Sequence, residues 1–94
     1  MIVRLDIEHT SPDTCAYRVS HESDLLYDDE GLASIEEALV AAIEGLPPET
    51  IGLELAYAGI VSGTYPLNVV AMNLEQVTAH AVNTAQAIRE ASTR

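Results

Sequence analysis

Two short runs of alternating residues, set either side of a turn, constrain the fold of this chain more than any other feature. Val3, Leu5, Ile7 and His9 alternate with Arg4, Asp6 and Glu8, the period of two that marks a strand with one wet face. Ser11, Pro12 and Asp13 make Thr10 to Thr14 turn-like, and Cys15, Tyr17, Val19 and His21 then alternate with Ala16, Arg18 and Ser20. Pairing His9 with Cys15 in an antiparallel hairpin sets Ile7 against Tyr17, Leu5 against Val19 and Val3 against His21, so the apolar members share one face. The same register puts Asp6 opposite Arg18 and predicts a cross-strand ion pair worth about 0.2–1 kcal/mol.

The rest of the chain follows from local signals. Asp24 to Gly31, with Leu25, Leu26 and Tyr27 running into an acidic turn, is open to reading as a short edge strand and stands outside the four strands of the expected sheet. Ser34 and Glu37 form the S-x-x-E capping box of a helix whose apolar stripe is Ile35, Ala38, Leu39, Ala42, Ile43 and Leu46, ended by Gly45, Pro47 and Pro48. Ile51, Leu53, Leu55 and Tyr57 alternate with small residues as a further strand. Tyr65 to Met72 reads as a strand with an edge proline at Pro66. Asn73 and Gln76 read as a second capping pair before a helix from Leu74 to about Ala91 with Leu74, Val77, Ala81, Ala85 and Ile88 inward. At 94 residues there is room for one core. The expected architecture is a single α+β domain over residues 1–94, a four-stranded antiparallel sheet with two helices on one face, in the order β-β-α-β-β-α.

Charge then limits the partners. Between Arg18 and Arg89 lie seventy residues without lysine or arginine, carrying eleven carboxylates, and this stretch accounts for the net charge of −11. Outside it Asp6, Glu8, Asp13 and Glu90 balance Arg4, Arg18, Arg89 and Arg94. Phosphate contact needs Lys and Arg, so the field excludes direct nucleic-acid binding. The absence of lysine excludes lysine Schiff bases and a P-loop. Cys15 is the only cysteine, which points to a reducing compartment, and the charged N-terminus does not read as a signal peptide. The longest apolar run, Leu55 to Val61, has seven residues, too few to span a membrane. The expectation is a cytoplasmic protein.

No catalytic constellation stands out. Asp28, Glu30, Gly31 and Glu37 fall on the third, fifth, sixth and twelfth places of an EF-hand loop, but Leu26 occupies the first, so no metal site is assigned. His9 and Cys15 meet at the hairpin end as two ligands without a third, and read as a buried thiol beside a packed histidine. Glu54 stands alone on its strand, and Gly59 to Gly63 lacks the G-K-[ST] of a phosphate cradle. No cofactor is expected. The second helix carries only Glu75 as a formal charge between Leu74 and Ile88, with Ala79, Val82 and Ala87 off the buried stripe, a face suited to self-association.

At Gly31 to Leu46 the string G-L-A-S-I-E-E-A-L-V-A-A-I-E-G-L resembles the helix start of HicB-like antitoxins, which follows two or three antiparallel strands; no DNA-binding segment follows it here. As a whole the chain resembles small bacterial proteins whose family names imply no activity. The expected function is binding of a basic protein partner through Asp28, Asp29, Glu30, Glu36, Glu37 and Glu44. The alternative is a small enzyme, or a subunit of one, with a pocket between sheet and helices using Tyr17, His9 or Glu54.

Overall fold

The computed structural model describes residues 1–92; Thr93 and Arg94, with the last arginine of the charge tally, lie outside the described residues. Strands β1 (Ile2–Ser11), β2 (Thr14–His21) and β3 (Asp24–Leu32) form an antiparallel meander. Helix α1 (Ile35–Glu44) leads to β4 (Gly52–Tyr57) and β5 (Ile60–Pro66), followed by α2 (Leu67–Met72) and α3 (Leu74–Ser92). The first hairpin has the register its alternation dictates: His9 faces Cys15, Ile7 faces Tyr17, Leu5 faces Val19 and Asp6 faces Arg18. Val3, Leu5, Ile7, Cys15 and Val19 are all at most 1% exposed, so the apolar face of that hairpin is the floor of the core.

The expected four-stranded antiparallel sheet with two helices is overturned. The sheet has five strands in the order β3-β2-β1-β4-β5, is mixed, and carries three helices. Strand β4 pairs with β1 in parallel, Leu5 beside Leu55. The cause is the connection: β3 runs parallel to β1, and a helix crossing over the sheet returns the chain in the direction it left, so β4 cannot be antiparallel to β1. The additional strand is β3, and the strand expected at Tyr65–Met72 is displaced to Ile60–Pro66 because the turn at Ala58 and Gly59, both with positive φ, folds the chain back along β4 at once. The chain after Pro66 is helical where a strand to Met72 was expected, and Val70 of α2 is fully buried.

All three helices contribute to one apolar cluster on one face of the sheet: Ala38, Leu39 and Ala42 from α1, Val70 from α2, Val77 and Ala81 from α3. Ile88, expected inward, is 46% exposed, because α3 outruns the sheet it packs on. Ser34 caps α1 by accepting from the Glu37 amide at 3.1 Å, and the Glu37 carboxylate accepts from the Ala33 amide at 3.1 Å. Asn73 precedes α3, yet its side-chain amide donates back to the Val69 carbonyl at 2.9 Å and so serves the end of α2 instead of capping α3. A radius of gyration of 12.7 Å fits one folded unit, for which about 12 Å is expected. Among the described residues no helix is long and apolar enough to cross a membrane.

Candidate functional site

With every helix on one face, the alternate residues of the strands are left on an uncovered face. Arg4, Asp6 and Glu8 of β1, Ala16 and Arg18 of β2, Asp28 of β3 and Glu54 of β4 share it by register. A groove of about 710 Å³ runs across this face over β1, β2 and β3, at the end where Gly59 turns β4 into β5. Five carboxylates line it, Asp6, Glu8, Asp28, Asp29 and Glu30, with Arg18 as its one cation and Thr10, Ala16, Ile7 and Tyr17 completing the wall.

The electrostatics of the groove are set by which arginine pairs. The expected Asp6–Arg18 ion pair does not form although the two residues face each other. Arg4, two residues before Asp6 on the same side of β1, reaches its carboxylate at 3.0 Å and extends to Glu54 at 3.1 Å, the residue beside it in β4. Hydrogen bonding to Asp6, with smaller help from Glu54, raises the Arg4 pKa above its ordinary value. Arg18 makes no ion pair within 4.0 Å among the described residues. Arg4 therefore offsets one of the two negative charges at Asp6 and Glu54, and four of the five groove acids make no ion pair among the described residues.

Of the sequence-predicted partner-binding residues, Asp28, Asp29 and Glu30 stand on β3 and line this groove, whereas Glu36, Glu37 and Glu44 stand on α1. The latter three, with Ser34, Val40 and Ala41, border a second, shallower depression of about 430 Å³ on the outer side of α1. The six residues thus form two groups on different faces of the molecule. Glu37 has part of its carboxylate committed to the cap of α1. Along the sequence Asp6, Glu8 and Arg18 fall outside the acidic stretch, where acids and arginines balance. Only the pairing of β3 with β2, Asp28 beside Arg18, brings them together with Asp28 to Glu30.

The other candidates find structural roles. Cys15 is fully buried with its Sγ 3.5 Å from His9 Nδ1, and burial pushes its thiol pKa up, away from a reactive thiolate. His9 lies on the core side as its register requires but is exposed instead of packed, because β1 runs past the helices there; its ring meets Tyr57 edge-on at 6.0 Å. Tyr17 packs edge-on against Tyr27 at 6.1 Å, and burial, then the charges of Asp29, Asp28 and Glu44, raises its phenol pKa. Among the described residues no group of three or more His, Cys, Asp or Glu is placed to hold a metal ion. Neither described cavity lies between sheet and helices, and neither includes His9 or Glu54. Comparison with known proteins found no matching family model, no matching curated protein and no matching solved structure.

Proposed function

We propose that this domain is a protein-binding module that takes a basic partner on the uncovered face of its sheet. The observation that carries this reading is the groove itself: five carboxylates line it on a face that no helix covers, and of the five only Asp6 is ion-paired, to Arg4. Such a field attracts cationic side chains, speeds their encounter and repels phosphate backbones, which makes a basic protein the fitting ligand and nucleic acid an unfitting one. Glu36, Glu37 and Glu44 on α1 offer a second, smaller acidic contact. Antitoxins, immunity proteins and secretion chaperones all work by occupying a partner in this way, and the antitoxin variant rests on the resemblance at Gly31 to Leu46. The single, buried Cys15 suits a reducing, cytoplasmic setting. Self-association through the outward side of α3, with Ala79 and Ala87 exposed, belongs to the same proposal.

The test is capture on the immobilised domain at about 50 and about 500 mM NaCl, using the native chain, a D28N/D29N/E30Q variant and an E36Q/E37Q/E44Q variant. A basic protein held at low salt, released at high salt and lost from the first variant is the expected result. Retention of the same protein by both variants, or none at low salt, overturns the reading.

A further inference from the structure

The sheet has two edges, and the fold treats them differently. Strand β5 is guarded: α3 packs along it, and it ends on Pro66, which has no amide proton, whereas both edge pairings carry register shifts and do not differ in that respect. Strand β3 is nine residues long, and every residue of it except Tyr27 and Leu32 is exposed. On the side away from β2, its backbone meets no other strand among the described residues. The edge is nevertheless held in place, because Tyr27 OH donates to the Ala42 carbonyl of α1 and its ring packs on Tyr17. A free edge fixed in strand geometry is a template for another strand.

From this we infer that the β3 edge takes an extended, cationic segment of the partner as a sixth strand. The inference rests on the basic-partner reading above and gives it a binding mode. Charge selects the occupant. Asp24, Asp28, Asp29 and Glu30 line the edge, so two copies of this chain paired through β3 set like charges against each other, whereas lysine or arginine at alternate positions of an added strand reaches Asp28 and the groove acids beyond. Leu25 and Leu26, 54% and 40% exposed at the start of β3, give such a strand apolar cover. Main-chain bonds supply the affinity and alternate side chains the choice of partner.

The experiment follows backbone amides of the whole chain by NMR while a blocked peptide of about eight residues, alternating lysine and threonine, is added at low salt. The expected result is shift changes centred on Asp24–Leu32 and at least tenfold slower hydrogen exchange at alternate β3 amides. Of two peptides, each methylated at one alternate set of backbone nitrogens with every charge kept, the one blocked on the side facing β3 binds at least tenfold more weakly, and a glutamate version does not bind. If neither methylated peptide differs from the parent by more than twofold, charge alone holds it, and the added strand is ruled out while the basic-partner reading stands. Protection of β3 that appears with protein concentration alone makes a second copy the occupant and likewise overturns the inference. No binding by the lysine peptide overturns both readings.

Discussion

Tyr27 joins three parts of the molecule through one side chain. Its ring meets Tyr17 of β2, its hydroxyl donates to the Ala42 carbonyl of α1, and its backbone belongs to the edge strand. Replacing Tyr27 by Phe keeps the ring and removes the bond, and a loss of about 1 kcal/mol in urea denaturation is expected. The same variant changes the alkaline behaviour. Burial, then Tyr17, raises the Tyr27 pKa, so its folded value lies above the unfolded one. Its contribution is complete below the unfolded tyrosine pKa of about 10 and is lost as pH rises through the folded value. Y27F should therefore lose less stability than the native chain between about pH 9 and 11, with Tyr17 and Cys15, both raised by burial, supplying what slope remains. A slope unchanged by the substitution refutes the assignment. Gly52 makes a different point about single residues: a Cβ there would stand 2.8 Å from the Tyr65 carbonyl oxygen, in the backbone of the paired strand. Because backbone cannot swing aside, Gly52→Ala should cost about 1–3 kcal/mol, and a thermal midpoint equal to the native one would show that β4 and β5 can separate locally at no cost.

Elements differ in how much of themselves they wrote into the chain, and the differences have physical causes. The first hairpin was legible because one face is buried and the other wet, and its register was right at His9–Cys15, Ile7–Tyr17 and Leu5–Val19. Helix α1 was legible through its cap; Ser34→Ala removes the acceptor of the Glu37 amide and should cost about 1 kcal/mol, read by calorimetric midpoint. Strand β3 shows little alternation because only Tyr27 and Leu32 of its nine residues meet the core, so the period that identifies strands has little to imprint it. Its turn is equally silent: Glu22 and Ser23 both adopt positive φ, 52° and 74°, in a position where Asn-Gly is the recognisable pair. Installing that pair, E22N/S23G, should stabilise the chain by about 0.5–1 kcal/mol, and a fall in the urea midpoint would mean that Glu22 contributes more than its backbone geometry shows. Helix α2 is six residues long, less than two turns, too short for a period of 3.6 to be told from the β-branched Val69–Val70 run that suggested a strand. The candidate site was half legible for a related reason. Asp28 to Glu30 are local and were named; Asp6, Glu8 and Arg18 join them only through non-local pairing, which composition along the chain does not record.

At the scale of the molecule the net charge of −11 acts on stability before it acts on any partner. The described residues contain two ion pairs, both on Arg4, and the side chains involved are about two-fifths exposed, 43% for Arg4, 37% for Asp6 and 39% for Glu54. Exposed pairs of this kind return about 0–1 kcal/mol each, and salt weakens them. Against them stands repulsion among acids spread over a body of 43 × 27 × 25 Å. At 10 mM ionic strength the Debye length of about 30 Å spans the two shorter dimensions, so nearly every like pair contributes; at 1 M, about 3 Å remains and only contacts survive. Repulsion has the longer reach and the greater number of pairs, so screening should stabilise the native state. The urea midpoint should rise with NaCl from about 10 to 500 mM at constant slope and then level off, the levelling separating screening from solute exclusion, which continues to grow with concentration. The D28N/D29N/E30Q variant, with three fewer charges at the groove, should begin at a higher midpoint and gain less from salt. A midpoint that falls as NaCl is added would mean that attraction at Arg4 outweighs the acidic field. The field would then be too weak to select a basic partner, and the groove would lose the electrostatic argument on which its function rests.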